Sequence, residues 1–396
     1  MLKHLVGLLA FTMALAAFPG SANAAQIKEW TFLIFLNGHN NLDSFGAENI
    51  RGMEEVGSND KINIVVQWAS MANGKTQRLL VTKSTDPSKV TSPVVELLAP
   101  VDMGDYKELE NFMEWGAKNY PANHYFVNVW NHGNGWHLNG LAGAQVNDIS
   151  YDDRTGHHIT TEQLAQSLST FAKSIGHKID IYGSDACLMG MAEVAGEMTD
   201  SVDYFVGSEE VEPGAGWPYS TFMRAWNNLP GMTPKDVAIT LSKEYLKAYS
   251  GGIYGSSSVT MSAYDLSKMA EFNKAVGSLA NELQHLNTNE FAKVKYTATT
   301  VLEFTNSDYK DFGDFVGKMK DSVSVDTTRD ALVSTKAALD QLVLSNDASS
   351  SFTGASGVAI WLPTNSYEYT SYAKRYEGLK FAKATNWGSL LKILAK

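Results

Sequence analysis

The chain has 396 residues, of which 44% are hydrophobic and 19% are charged, and its formal net charge is −11. This composition excludes a disordered chain. The negative charge argues against a nucleic-acid-binding surface, which needs a basic face, and favours a cationic substrate. A single cysteine excludes an intrachain disulfide and a zinc site built from several cysteines.

Residues 1–24 have the features of a secretory signal peptide. Basic residues precede an apolar run, Leu5–Phe18, and Ala22-Asn23-Ala24 matches an A-x-A cleavage site. A membrane anchor is the alternative, but the run is shorter than the ~20 residues that a membrane span needs. We therefore expect an exported mature chain, periplasmic or secreted, with no membrane attachment.

Beyond this segment, short runs typical of buried strands alternate with longer stretches typical of helices. The strand runs are Trp30–Leu36, Ile62–Gln67, Arg78–Val81, His124–Trp130, Ile179–Tyr182 and Tyr204–Val206. The helix-like stretches are Asp43–Val56, Glu108–Lys118, Thr161–Ser174, Leu188–Met198 and Pro234–Tyr249. This alternation predicts an α/β fold with a mostly parallel central sheet and helices on its faces.

A Gly/Ser-rich segment at residues 250–258 marks a plausible domain boundary. We place the main domain at residues 25–250 and a C-terminal subdomain at residues 251–396. Beyond the boundary the sequence predicts further helices and one clear late strand, Gly357–Leu362. The sequence of this subdomain points to no role beyond supporting the fold and flanking a cleft.

Two chemically reactive residues each follow a predicted strand. His132 lies in the segment Asn131–Trp136 after one strand, and Cys187 ends the segment Ser184-Asp185-Ala186-Cys187 after the next. Ligands bind at the carboxyl edge of open parallel sheets, and a right-handed crossover would bring these two strand ends side by side. The pattern predicts a cysteine nucleophile beside a histidine, while composition alone favours a buried, inert cysteine.

Such a pair has a defined chemistry. A helix beginning at Leu188 and a neighbouring imidazolium would lower the pKa of Cys187 below the ~8.5 of a free thiol. His132 would hold the proton and later donate it to the leaving amine. The backbone N–H groups of Gly133 and Cys187 would form an oxyanion hole. The spacing alone does not separate catalysis from coincidence.

The sequence around both residues is more specific, and it resembles the clostripain family of cysteine peptidases. The resemblance covers most of the mature chain, and its most specific parts are the His-Gly and Asp-Ala-Cys segments. The matching segments are Asn37–Leu42, Tyr120–Tyr125, Val129–Trp136, Gly183–Met189, Gly207–Gly214, Gly216–Tyr219 and Gly357–Pro363. The family is grouped with caspases, legumain and gingipains, so the resemblance implies a caspase-like three-layer α/β sandwich and a Cys–His dyad without an obligatory third member.

The resemblance assigns roles to individual residues. His132 matches the catalytic histidine, Cys187 the nucleophile, and Asp185 an acidic residue of the primary specificity pocket. The family cleaves after Arg and, to a lesser degree, Lys, in keeping with bidentate guanidinium–carboxylate bonding. As an alternative, Asp185 is an acid at the start of the following helix. Glu209 and Glu212 would line the same cleft or belong to a solvated acidic loop.

The sequence requires no cofactor. Some family members need calcium, and Asp152-Asp153 with Asn147-Asp148 offer oxygen ligands, but without the ordered spacing of a calcium loop. Calcium therefore stays open. His137 and the pair His157-His158 lack a third ligand at zinc spacing, so we assign no metal site. The opening turn, Gly38–Leu42, departs from the family by lacking an acidic residue before its paired asparagines.

Together these observations predict an exported cysteine endopeptidase that cleaves peptide or protein substrates after basic residues through a thioester acyl-enzyme. Self-cleavage is expected after Arg154, because its loop, Tyr151–Gly156, is polar and contains glycine. The alternative is an exported caspase-like binding or adhesion module with a vestigial dyad. An enzyme that works as one uncut chain is the alternative to self-cleavage.

Overall fold

The computed structural model describes residues 27–84, 86–137 and 148–396. The signal peptide predicted at residues 1–24 lies outside this part of the chain. The strands are β1 (Lys28–Gly38), β2 (Ile62–Ser70), β3 (Lys75–Leu80), β4 (Val94–Leu98), β5 (Ala122–Trp130), β6 (Ile149–Asp152), β7 (His157–Ile159), β8 (Ile179–Asp185), β9 (Val202–Gly207), β10 (Ser250–Gly252), β11 (Gly255–Ser256), β12 (Thr260–Asp265), β13 (Tyr309–Asp311), β14 (Val343–Ala348) and β15 (Ala359–Trp361).

The helices lie between and after these strands. They are α1 (Asp43–Glu54), α2 (Tyr106–Asn119), α3 (Thr161–Ile175), α4 (Ala192–Met198), α5 (Tyr219–Asn227), α6 (Pro234–Ala248), α7 (Met269–Gln284), α8 (Thr288–Ala298), α9 (Phe312–Ser322), α10 (Asp326–Leu342), α11 (Ser366–Tyr376), α12 (Lys380–Thr385) and α13 (Trp387–Leu394). Among the described residues, no helix is long and apolar enough to cross a bilayer.

Nine strands form one mixed sheet in the order β14-β12-β9-β8-β5-β1-β2-β3-β4. The five central strands, β9, β8, β5, β1 and β2, run parallel. The strands added at both edges pair antiparallel. The strands β12 and β14 come from beyond residue 250, so segments on both sides of the predicted boundary share this sheet.

The sheet separates two hydrophobic cores, and β1 shows how. Its side chains alternate between faces: Leu33 and Phe35 join one core, while Phe32 and Ile34 join the other. The first core packs against α2, α3, α4 and the helices that follow β12, and the second against α1, α5 and α6. The predicted α/β fold with a three-layer arrangement is therefore confirmed.

One predicted helix begins later than expected. The stretch Leu188–Met198 becomes helical only at Ala192, as α4. Leu188 has φ of +63°, which ends the strand in a turn instead of a helix, and the Gly190 N–H donates to the carbonyl of Ser208 at 2.7 Å. Four residues of loop therefore separate Cys187 from the helix.

Candidate active site

The carboxyl ends of β1, β5, β8 and β9 meet at one edge of the sheet, and the loops that follow them enclose a cavity of about 170 Å³. Parallel pairing places Trp130 beside Asp185, so the residues that follow these two strands become neighbours. The cavity is lined by Leu42, Trp130, Asn131, His132, Asp185, Ala186, Cys187, Glu212, Pro213, Gly214 and Gly216. It thus brings together four of the predicted site residues.

His132 is partly buried, and its imidazole contacts the loop after β1. The His132 Nε2 atom lies 2.6 Å from Asn41 Oδ1. Burial lowers the pKa of His132 below its usual value, against an opposing attraction from the carboxylate of Asp153. The imidazole is therefore a neutral base at neutral pH.

Cys187 is also partly buried, and its sulfur packs against the backbone of Glu212. The Glu212 N–H donates to Sγ at 3.2 Å, and the thiol lies 3.8 Å from the Glu212 carbonyl oxygen. Burial raises the pKa of Cys187 to about 12, and the acidic Glu212 and Glu210 add to the shift. Across the ranges described, no hydrogen bond joins the Cys187 and His132 side chains.

The expectation of a lowered thiol pKa is therefore wrong for this resting structure. The helix that was to lower it starts at Ala192 rather than beside Cys187, so no helix N-terminus faces the sulfur. His132, predicted as an imidazolium partner, is neutral because its own pKa falls. The resting pair consists of a thiol and an imidazole. Catalytic hydrogen bonds of free enzymes are often long and tighten with substrate.

Gly133 lets the two loops approach each other. A Cβ atom on this residue would stand 2.6 Å from the carbonyl oxygen of Cys187 and 2.9 Å from the Cβ of Ala186. Only glycine permits so close a backbone approach. Among the described residues, the N–H groups of Gly133 and Cys187, predicted as the oxyanion hole, donate to no backbone carbonyl.

Asp185 forms the buried end of the cavity. Its Oδ2 accepts hydrogen bonds from the Tyr219 hydroxyl at 2.6 Å and from the Trp217 N–H at 3.3 Å. Burial raises the pKa of Asp185 to about 7, despite these donors. Gly216, with φ of +64°, lies against the carboxyl, since a Cβ there would stand 2.9 Å from Oδ1. Asp185 is the last residue of β8, and the following helix begins only at Ala192, so Asp185 does not stand at the start of that helix.

Glu212 brings a second carboxyl to the same end of the cavity. Both of its carboxyl oxygens are buried. Burial, followed by the charge of Asp185, raises the pKa of Glu212 well above its usual value. Two buried carboxyls this close cannot both ionise, so the pair shares a proton.

Glu209, predicted to line the same cleft, does not line this cavity. The hydroxyl of Thr260 accepts from the backbone N–H groups of Glu209 and Glu210 at 3.0 and 3.1 Å. This anchor turns the Glu209 side chain toward the C-terminal part of the chain, where it is fully buried beside Asp311. Burial and the charge of Asp311 raise the pKa of Glu209 well above its usual value.

Arg154 lies at the exposed turn between β6 and β7. Its backbone N–H donates to Asp152 Oδ1 at 2.9 Å, and its guanidinium Nη1 lies 3.2 Å from His39 Nε2. His39 in turn holds Asp152 through Nδ1 at 2.8 Å. The residue is accessible, but it belongs to a tight hairpin.

Two of the three carboxylates considered for calcium already have partners. Asp148 forms a bidentate pair with Arg375, and Asp152 pairs with His39. Asn147 lies outside the described residues. Within the part of the chain that is described, no three His, Cys, Asp or Glu side chains converge as a metal site. His137 is buried, with Nε2 3.2 Å from Asp308 Oδ2.

Three further residues shape the site and were not predicted. Asn41 contacts the imidazole and Tyr219 holds Asp185. Arg375, on α11, pairs with Asp148 and Glu162, and its guanidinium lies 5.8 Å from the ring of Trp136, four residues after His132. Asn41 had a sequence signal, since its loop follows the strand next to β5. Tyr219 lies in the segment Gly216–Tyr219 that resembles the family, whereas Arg375 had no sequence signal.

The fold and the site together define an α/β sandwich of the caspase-like class with a cysteine and a histidine at the carboxyl edge of adjacent parallel strands. A sequence profile described as the clostripain family matches residues 34–393, and the chain belongs to this family. Clostripain from Hathewaya histolytica is 25% identical over 329 residues, which cover 68% of this chain and 59% of clostripain. The chain thus spans less than two thirds of that relative.

Solved structures show the same fold. A secreted C11 cysteine protease from Bacteroides thetaiotaomicron, in complex with an irreversible peptide inhibitor, superposes with a TM-score of 0.70 at 19% identity. An inactive zymogen C11 protease from Parabacteroides distasonis gives a TM-score of 0.67 at 18% identity. Both comparisons cover 91% of this chain and 99% of the other.

Proposed function

We propose that the protein is an exported cysteine endopeptidase that cleaves peptide bonds after basic residues, Arg in preference to Lys. The observation that carries the proposal is the single cavity that joins Cys187, His132 and the buried pair Asp185–Glu212. Membership of the clostripain family supports the same reaction. The secreted relative from Bacteroides and the sequence of residues 1–24 support export, into the periplasm or the medium.

The reaction begins from the neutral pair. As Cys187 Sγ attacks the scissile carbonyl carbon, its proton passes to His132, which acts as general base. The N–H groups of Gly133 and Cys187 donate to the resulting oxyanion. His132 returns the proton to the leaving amine, and a thioester remains on Cys187. Water, deprotonated by His132, then hydrolyses the thioester and releases the acid.

Specificity comes from the carboxyl pair. A guanidinium entering the cavity supplies the positive charge that lets both carboxyls ionise, so the shared proton leaves as the cation binds. Arg is preferred to Lys because its planar group bonds two carboxylate oxygens at once. Asp185, which lines the cavity, is held in place by Tyr219, whose hydroxyl donates to Oδ2.

An irreversible arginyl active-site probe tests the function. We expect mass spectrometry to find the probe on Cys187 of the wild-type protein and no labelling of the Cys187→Ala variant, with and without added calcium. A matched probe with an uncharged side chain is the specificity control. Absence of labelling in every buffer would favour the binding or adhesion module. Equal labelling by the two probes would contradict the basic specificity alone.

Self-cleavage after Arg154 remains part of the proposal. The turn is exposed and carries the residue type that the cavity would accept, but the β6–β7 hairpin has to open for the bond to reach Cys187. We expect intact-mass analysis to show two associated chains in the wild type and one chain in both Cys187→Ala and Arg154→Gln. An active wild type that remains one chain would overturn this step and leave the dyad unaffected.

A further inference from the structure

The loop between β1 and α1 stands directly against the histidine. Pairing of Leu36 with Trp130 places Asn37 next to Asn131, the residue before His132. The Asn131 side-chain amide donates to the carbonyl oxygen of Asn37 at 2.6 Å. The two loops are therefore joined immediately before the histidine.

Other hydrogen bonds hold this loop in one conformation. The side-chain amides of Asn37 and Asn40 both donate to the carbonyl of Tyr151, at 3.0 and 2.9 Å. The Asp153 N–H donates to the carbonyl of His39 at 2.8 Å. The Leu42 N–H donates to Asn40 Oδ1 at 3.0 Å. The residues before Asn41 are thus fixed to β6 and to the following turn, and Leu42 after it is fixed to Asn40.

Asn41 alone in this loop directs its side chain at the imidazole, with Oδ1 2.6 Å from His132 Nε2. We propose that Asn41 is a positioning residue that orients His132 and fixes its tautomer for the peptidase reaction. The inference rests on the proposed function, because the reaction that Asn41 assists is the proposed peptide-bond cleavage. The contact between Asn41 and His132 does not depend on substrate specificity. It adds a third member to the predicted dyad.

The hydrogen bond determines which ring nitrogen reacts. An amide oxygen only accepts, so Nε2 carries the proton and Nδ1 keeps its lone pair. Nδ1 is then the atom that receives the thiol proton and returns it to the leaving amine. The contact with Asn41 persists in both states of the ring, so the imidazole keeps its orientation throughout the reaction.

An amide in this position also suits the neutral resting pair. A carboxylate would stabilise the imidazolium and raise the pKa of His132, so that the ring would be protonated up to a higher pH. An amide orients the ring without adding charge, in keeping with the lowered pKa of His132. The titratable groups that face His132 are Asp153 from the β6–β7 turn and, across the cavity, Cys187, Asp185 and Glu212.

Charge substitution at position 41 tests the inference. In Asn41→Asp we expect the pKa of His132, measured by NMR titration, to be raised by about one unit. The lower pKa in the pH profile of kcat/KM should rise by the same amount. His132→Ala assigns the resonance. The exposed Asn73→Asp is the matched control, because its Oδ1 also accepts a backbone hydrogen bond in a turn and it should change neither value.

Removal of the side chain gives the second readout. Asn41→Ala should lower kcat about 10- to 100-fold with little change in KM. This loss is a part of the rate enhancement that acid–base catalysis contributes. An unchanged His132 pKa in Asn41→Asp would overturn the inference, as would full kcat in Asn41→Ala. If no arginyl substrate is cleaved yet the His132 pKa shifts as expected, the proposed function fails and the positioning role stands.

Discussion

Two of the three glutamates in the loop after β9, Glu209 and Glu212, are three residues apart, and each pairs with an aspartate in a different environment. Glu212 lies beside Asp185 at the end of the candidate active-site cavity. Glu209 lies beside Asp311 in the closed interior, where both residues are fully buried. In both pairs, burial and the neighbouring carboxyl raise the pKa of the glutamate.

The difference between the two pairs is access. The Glu209–Asp311 pair is surrounded by protein, and Asp311 already accepts from the N–H of Asp314 at 2.6 Å and from the Ser356 hydroxyl at 3.0 Å. Such a pair keeps its proton and contributes to the fold. The Asp185–Glu212 pair opens on a cavity, so a cation from outside can replace its proton. A raised pKa therefore indicates burial, and only the cavity indicates function.

The largest expected effect is on substrate specificity, which should depend on the Asp185–Glu212 pair and not on the Glu209–Asp311 pair. Asp185→Asn should lower kcat/KM for an arginyl substrate about 10²- to 10³-fold, since removing one partner of a buried charge pair costs roughly 3–5 kcal/mol. The rate of Cys187 alkylation by a small uncharged reagent should change little. Asp311→Asn is the control and should leave the ratio of arginyl to uncharged substrates unchanged. Unaltered arginyl cleavage in Asp185→Asn would remove Asp185 from the pocket.

The pH dependence gives the next effect. Because the pKa of Asp185 is raised to about 7, its carboxyl is neutral below that pH and binds a cation poorly. We expect KM for an arginyl substrate to rise as the pH falls below 7, approaching tenfold per unit. The same titration of Asp185→Asn should be flat. A wild-type KM that is constant between pH 5 and 7 would contradict a shared proton in the cavity.

The smallest expected effect is on the stability of the folded chain, and it concerns the buried Glu209–Asp311 pair. The raised pKa of Glu209 means that the folded chain keeps a proton which the unfolded chain loses above about pH 4. Stability from this group is therefore present at low pH and falls as the pH rises. Glu209→Gln, which keeps a donor but does not titrate, should lose less stability between pH 5 and 6, by about 1 kcal/mol.

Denaturant unfolding at several pH values measures this difference, with the exposed Glu48→Gln as the matched control. Parallel curves for wild type and Glu209→Gln would show that Glu209 ionises in the folded protein. A change in arginyl kcat/KM in Glu209→Gln would place this residue in the functional cavity after all.

The central sheet was predictable because its parallel strands are buried on both faces and read as continuous apolar runs, as in β1 and β5. The added strands β12 and β14 escaped prediction because Thr260–Asp265 and Val343–Ala348 mix polar and apolar residues without a clear period. Their assignment depends on pairing with β9 and with each other, which local sequence does not contain.

The placement of His132 and Cys187 in one cavity follows from strand order, which the sequence indicated. The pKa shifts of these two residues could not be predicted in the same way, because the pKa of Cys187 depends on where α4 begins and on the path of the loop at Glu212. Glu209 and Glu212 looked equivalent in the sequence. The contact of Thr260 with the loop backbone separates them, and it comes from a residue about 50 positions away.

The clamp by Arg375 has a consequence for the order of folding. This residue binds Asp148, which is 227 positions earlier in the chain, and it packs on Trp136, four residues after the histidine. Contacts of such sequence separation form slowly, because most of the intervening chain must first be ordered. The contact of Arg375 with Asp148 and Trp136 is therefore expected to form late, and a fragment ending before residue 375 would contain the cysteine, the histidine and the acidic pocket without it.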